Sequence, residues 1–151
     1  MLKKSILIAC LLFASLSACD DEIASPIPYA PVNLVLHLNG EDSRLNGSLS
    51  FIEYTRPRTE TDRLGFGGIL VINGLGEGTI NLFAYDLACP NEADRNVRIR
   101  PQDTGLRAIC PKCNAVYNIA NGWGSPESGS KHRLKRYNVF PISETQYRVV
   151  N

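Results

Sequence analysis

Cysteines carry most of the chemistry this sequence has to offer. Cys89 opens the run Cys89-Pro90-Asn91-Glu92, and about twenty residues later Cys110-Pro111-Lys112-Cys113 begins in the same way. Thiolates are soft ligands suited to zinc, iron and iron–sulfur clusters, and two neighbouring thiols also make a disulfide or a redox pair. Proline fixes φ and has no N–H to give to a ladder, so each Cys-Pro step marks where a strand stops and a stiff loop begins. Two such loops at one end of a β domain converge their sulfurs on a common centre. A zinc ion held by the three thiols plus His132, Asn91 or water is one reading, and a disulfide that leaves the third thiol free is another. A thioredoxin-like role for Cys110-Pro111-Lys112-Cys113 asks for the first cysteine at a helix N-terminus. Residues 114–119 read as a strand instead, although Lys112 is placed to acidify a nearby thiol.

The elements that position these loops read as short strands between turn residues. Nine segments qualify: Val32–Leu38, Ser48–Tyr54, Gly68–Asn73, Thr79–Asp86, Val97–Arg100, Leu106–Ile109, Val116–Ile119, Leu134–Phe140 and Gln146–Val150. Leu34, Leu36 and Leu38 alternate with Val35 and His37, which gives one apolar face at period two and places His37 as a surface or half-buried strand residue. Asn39-Gly40, Asn46-Gly47, Asn73-Gly74 and Asn121-Gly122 offer the left-handed geometry of hairpin turns. No window of helical length carries a 3.6-residue apolar stripe. The expectation is an all-β domain of antiparallel sheets, sandwich- or barrel-like, with both cysteine loops at one end.

Composition narrows the function classes. The chain has 151 residues, 44% of them hydrophobic and 21% charged, with a net charge of +1. That describes one ordinary domain without the basic excess of a nucleic-acid binder, and it excludes a multidomain enzyme. The glycines of Gly65-Phe66-Gly67-Gly68 and Gly74-Leu75-Gly76-Glu77-Gly78 precede strands, not helices, so they read as turns and not as a phosphate cradle. Arg56, Arg58 and Arg63 share a polar stretch with Glu60 and Asp62 and read as a mobile solvated loop. Neither an acid–base pair nor a nucleophile triad is visible.

The N-terminus differs from the rest. Lys3 and Lys4 precede an apolar run from Ile6 to Leu16 that ends in small residues before Cys19, the layout of a secretory signal over residues 1–18. Leu16-Ser17-Ala18-Cys19 resembles the lipobox of bacterial lipoproteins. That resemblance implies lipidation of Cys19 and attachment to a membrane of the bacterial cell envelope by acyl chains, without a spanning helix. Asp20-Asp21-Glu22 is similar to the sorting signals of surface lipoproteins, and also reads as a solvated linker. With three prolines between Pro26 and Pro31, residues 19–31 form an acidic, proline-rich tether, and residues 32–151 form the domain. Cys10 leaves with the signal and Cys19 takes lipid, so Cys89, Cys110 and Cys113 remain. An odd number of thiols in an oxidising compartment calls for a metal, a partner or a specific role.

From Phe83-Ala84-Tyr85-Asp86-Leu87-Ala88-Cys89-Pro90 through Cys110-Pro111 and Ala115-Val116-Tyr117-Asn118-Ile119, the order of features resembles the Rieske iron–sulfur domain. Gly122 to Gly129 is similar to that family's third loop, and Trp123 within it reads either as a shield for the sulfurs or as core or interface packing. The resemblance spans roughly residues 32–151. It implies a [2Fe–2S] cluster with Cys89 and Cys110 as ligands and one-electron transfer or redox sensing as the function. Asn91 stands where the family has its first histidine and Cys113 where it has the second, so one donor becomes a thiolate, which lowers the potential below that of a two-histidine centre. Asp94 and Lys112 hold the places of a cysteine pair that some members join as a disulfide. The alternatives are a cluster-free structural or binding module, or a structural zinc site. Lys131, His132, Arg133, Lys135 and Arg136 form a basic run that reads either as a charged edge strand or as a docking patch for an acidic redox partner.

Overall fold

The structure is a computed structural model, and it describes residues 25–151. The expected signal at 1–18, the lipidation site Cys19 and the first part of the tether lie outside the described residues. Residues 25–31 are extended and without helix, as three prolines require. Their described end lies along the domain: Lys135 Nζ donates to Pro28 O at 3.0 Å, and Asn151 Nδ2 donates to Ala30 O at 3.0 Å.

The domain is all-β, with eleven strands in two antiparallel sheets. In chain order the strands are β1 (Val32–His37), β2 (Phe51–Tyr54), β3 (Arg63–Leu64), β4 (Ile69–Asn73), β5 (Leu82–Asp86), β6 (Arg100–Pro101), β7 (Arg107–Ile109), β8 (Val116–Asn118), β9 (Pro126–Ser128), β10 (Arg136–Pro141) and β11 (Gln146–Val150). Seven of them form a barrel-like sheet in the order β2-β4-β5-β10-β11-β1-β3, and a smaller sheet runs β6-β7-β8-β9.

Two apolar cores follow from this arrangement, and β4 belongs to both. Its run Ile69-Leu70-Val71-Ile72 is buried throughout. Ile69 and Val71 pack with Leu34, Leu36, Ala84, Tyr137 and Val149, whereas Leu70 and Ile72 pack with Tyr85, Leu87, Ile99, Tyr117 and Ile119. A strand covered on both faces needs an unbroken apolar run, and a strand covered on one face needs only alternation. Cys89 and Cys110 are members of the second core.

Several expectations are corrected in detail. The segment expected at Val97–Arg100 forms a named strand only at its end, as β6. Its earlier part bridges to the chain before the first cysteine loop through Arg98 and Ala88, with Cys89 N donating to Val97 O at 2.9 Å and Ile99 N to Leu87 O at 2.8 Å. Neither β3 nor β9 was expected, nor the 3₁₀ turn at Ser43–Asn46. Of the four Asn-Gly pairs only Gly122 has positive φ, at 81°. Gly74 is required for a different reason: a Cβ there would lie 2.7 Å from two ring carbons of Phe83. His37 is half-buried, as alternation predicts.

The arginine-rich stretch is pinned, contrary to the expectation of a mobile loop. Arg58 Nη1 donates to Asp42 Oδ1 at 2.9 Å, and its Nη2 donates to Val35 O at 2.6 Å. Asp62 closes the turn by accepting the Arg58 backbone N–H at 2.8 Å and the Thr59 hydroxyl at 2.7 Å. Those donors outweigh partial burial and hold the Asp62 carboxyl below its ordinary range.

Candidate metal centre

Cys89 follows β5 and Cys110 follows β7, so each sheet delivers one cysteine loop to the same place. The first loop is braced from behind by Asp86, a fully buried carboxyl group. It accepts backbone N–H groups from Phe66 at 2.8 Å, Gly67 at 3.0 Å and Ala88 at 2.7 Å. Arg98 ties the same region together by donating to Gly67 O at 2.5 Å.

Beyond that brace the two loops have the same construction. Cys89 O accepts from Ala93 N at 2.9 Å, and Cys110 O accepts from Asn114 N at 2.9 Å. Each loop therefore closes one turn four residues after its cysteine. Both closing residues are left-handed, Ala93 at φ 47° and Asn114 at φ 59°. Aligned on their cysteines, the loops pair Asn91 with Lys112 in the third place, and Glu92 with Cys113 in the fourth.

The side chains between the loops cross reciprocally. Asn91 Nδ2 lies 3.5 Å from Cys113 Sγ, and Lys112 Nζ lies 2.5 Å from Glu92 Oε2. In each case the third residue of one loop donates to the fourth residue of the other. The two cross-loop contacts are alike in pattern, but of the two fourth residues only Cys113 belongs to the sulfur group.

All three expected thiols come together. Their sulfurs lie within 4.8 Å of one another, and Cys89 and Cys113 are 3.6 Å apart. No disulfide joins them. Cys89 and Cys110 are fully buried and Cys113 is partly exposed. The Tyr117 hydroxyl lies 3.7 Å from Cys89 Sγ and closes the inner side. Burial pushes the Cys89 thiol up to about 12, with the Cys110 side chain adding to the rise. Cys113 goes the other way: burial opposes its ionisation, but the Ala115 backbone N–H, Cys110, Asn91 and Cys89 together lower its pKa.

Asn91 sits at the mouth of the site with its amide orientation fixed. Gly129 O, which can only accept, lies 2.6 Å from Nδ2, and the Ser130 hydroxyl donates to Oδ1 at 2.7 Å. The side chain presents N–H, not its carbonyl oxygen, to the sulfurs. His132 is not part of the sulfur group, and its Nδ1 is buried without a hydrogen-bond partner. Trp123 is 59% exposed, and the Arg133 guanidinium lies 5.8 Å from its ring centroid.

Three thiolates at this spacing suit one soft metal ion. Tetrahedral zinc–thiolate bonds of about 2.3 Å place neighbouring sulfurs about 3.8 Å apart. A Rieske-type cluster needs two histidines for its second iron, and the residues here do not supply them. Comparison with protein-family models, with curated proteins and with solved structures finds no match to this chain. Sequence reasoning gave no role to Glu92, Ser130 or Tyr117. Aligning the two Cys-Pro runs on one another is the signal that brings Glu92 into register with Cys113.

Proposed function

We propose that this domain is a metal–thiolate module in which Cys89, Cys110 and Cys113 hold one zinc-class ion between the two sheets. The carrying observation is the group of three sulfurs within 4.8 Å, built by loops from different sheets. The ion crosslinks the small sheet to the barrel. When bound, the metal keeps the thiolates deprotonated and adds its binding free energy to that of folding.

A second reading, one-electron transfer or redox sensing through a [2Fe–2S] centre, draws on the paired Cys-Pro loops and on the order of features in the chain. It would use Cys89 and Cys110 on one iron, with Cys113 and Asn91 in the histidine places. Thiolates on two irons stand farther apart than thiolates that share one ion, and the compactness of the sulfur group favours the single ion.

Metal and acid-labile sulfide analysis of anaerobically purified protein separates the two. One equivalent of zinc-class metal without labile sulfide is the expected result. Equimolar iron and sulfide with visible absorption would replace it by the second reading, and metal-free protein after reconstitution would remove both. We also propose that a lipid on Cys19 holds the domain to a membrane of the bacterial cell envelope, where the basic residues Lys131 to Arg136 would face an acidic partner. Membrane fractionation of the wild type beside Cys19→Ala tests this, with release of the variant expected.

A further inference from the structure

We infer that Cys113 is a site of oxidation by hydrogen peroxide and that Cys89 resolves it, so that a disulfide forms between the two and the bound metal leaves. The release of metal rests on the three-thiolate reading and gives that site a regulation. The disulfide stands on the sulfur geometry alone.

Access and proximity divide the roles among the three thiols. Cys113 is partly exposed, whereas Cys89 and Cys110 are fully buried. A small oxidant therefore meets Cys113 first, since cysteine oxidation follows access to solvent. Cys113 Sγ lies 3.6 Å from Cys89 Sγ. Bonded sulfurs stand about 2.05 Å apart, so closure needs an approach of about 1.5 Å, which is on the scale of a side-chain rotation. Cys89 is the fixed partner: its N donates to Val97 O at 2.9 Å, and its O accepts from Ala93 N at 2.9 Å. Cys113 stands at the mouth, where Asn91 Nδ2 approaches it at 3.5 Å.

The sulfur chemistry balances without another protein group. The Cys113 thiolate attacks one oxygen of hydrogen peroxide; the S–O bond forms, the O–O bond breaks, and hydroxide leaves a sulfenic acid behind. The Cys89 thiolate then attacks the sulfenic sulfur; the S–S bond forms, the S–O bond breaks, and a second hydroxide leaves. Two electrons pass from the two sulfurs to the peroxide. A resolving thiol already beside the sulfenic acid captures it ahead of a second peroxide, because the step is intramolecular.

Closure changes what the site can hold. Only the Cys110 thiolate remains, and zinc sites draw on at least three protein ligands, so the ion is released. The new bond joins residues 24 apart, one in the loop after β5 and one in the loop after β7. It ties the same two sheets that the ion ties, so the domain keeps its crosslink when the metal goes. A dithiol reductant, itself oxidised to a disulfide, returns the two thiols and with them the metal site.

The test treats the zinc-loaded full chain with hydrogen peroxide, reads free zinc with a chromogenic chelator, and maps disulfides by mass spectrometry after alkylation in denaturant. Expected are release of one zinc per chain, loss of two hydrogens shared between the peptides that carry Cys89 and Cys113, and an alkylated Cys110. Dithiothreitol should reverse the disulfide and restore zinc binding. Metal-free Cys110→Ser should still form the disulfide, and the double variant Cys89→Ser, Cys110→Ser should stop at a sulfenic acid on Cys113 that dimedone labels. Far-ultraviolet circular dichroism checks that the variants keep their strands, and the wild-type map decides the pairing without them. No oxidation, a disulfide between Cys110 and Cys113, or sulfinic acid at Cys113 beside a free Cys89 would overturn the inference and leave the three-thiolate centre standing. Zinc retained after the disulfide has formed would overturn the release. A chain that forms the Cys89–Cys113 disulfide but binds no zinc beforehand would overturn the centre and leave the thiol pair standing.

Discussion

Tyr137, on β10, donates its hydroxyl to Asp86, at the end of β5, across a buried contact of 2.6 Å. This bond joins the strand pair that carries the first cysteine loop to the carboxyl group that braces that loop. Four donors converge on Asp86 in all, three of them backbone N–H groups of the chain around Gly67 and Ala88.

Removal of that acceptor should therefore be costly twice over. Asp86→Ala leaves a phenol and three backbone N–H groups without their partner, each worth about 1–3 kcal/mol when buried and unsatisfied. A loss of at least about 3 kcal/mol is expected in urea denaturation of the metal-free protein. Metal affinity should fall as well, because Ala88 adjoins Cys89. Tyr137→Phe removes one donor and leaves the backbone contacts, so it should cost about 1–2 kcal/mol. An Asp86→Ala variant within 1 kcal/mol of wild type would contradict the bracing role.

The left-handed residues that close the loops differ in how readily they adopt that conformation. Asparagine visits positive φ with little penalty, whereas alanine at φ 47° carries the full cost of its Cβ. Ala93→Gly should then stabilise the domain by about 0.5–1 kcal/mol, the reverse of the usual sign for a new glycine. Asn114→Gly should change stability by only a few tenths. Paired thermal melts decide the matter, and a destabilised Ala93→Gly would mean that the turn does not need its left-handed closure.

Asp42 is the hub of a second buried polar group. Its carboxyl group accepts the His37 backbone N–H at 2.7 Å, the Tyr54 hydroxyl at 2.7 Å and Arg58 Nη1 at 2.9 Å. Burial and the Asp42 carboxylate together push the Tyr54 phenol upward. Asp42→Ala should cost about 2–3 kcal/mol, chiefly by orphaning the phenol and the strand N–H. Glu41, whose side chain is 55% exposed, also meets Arg58, at 2.9 Å, yet Glu41→Ala should cost less than about 1 kcal/mol. Equal losses in the two variants would show that burial does not distinguish the two acids.

What was legible in the sequence follows from how far each signal is local. The alternation of Leu34 and Leu36 and the unbroken run at Ile69–Ile72 are written in adjacent residues, and they yield β1 and β4. β3 and β9 have no such pattern: Leu64 is held by its register with Val32, and Pro126 by its register with Tyr117, so the partner strand decides. Arg58 looked solvated because Asp42, sixteen residues away, is invisible to a window of neighbours. The cysteines were legible because Cys-Pro marks strand ends locally. Their meeting in space depends on two sheets ending at one point.

The opposed shifts of Cys89 and Cys113 give the site a pH signature that can be worked out in sign. In the metal-free fold the Cys89 thiol is raised from 9.0 to about 12 by burial, so the folded state holds that proton more tightly than the unfolded chain. Its contribution to stability is fully present below 9.0 and is lost as the pH rises toward about 12. The buried tyrosines also titrate at high pH, so the relevant quantity is the difference between wild type and Cys89→Ser in urea melts from about pH 8 to about pH 11. The wild type should lose more stability over that interval than the variant does. Cys113, lowered and partly exposed, should be the first thiol alkylated by iodoacetamide near neutrality, with Cys89 and Cys110 modified only on unfolding. Bound metal should protect all three, and its affinity should rise with pH because Cys89 must give up its proton to coordinate. Alkylation of Cys89 ahead of Cys113 in the folded protein would reverse the assignment of which thiol faces solvent.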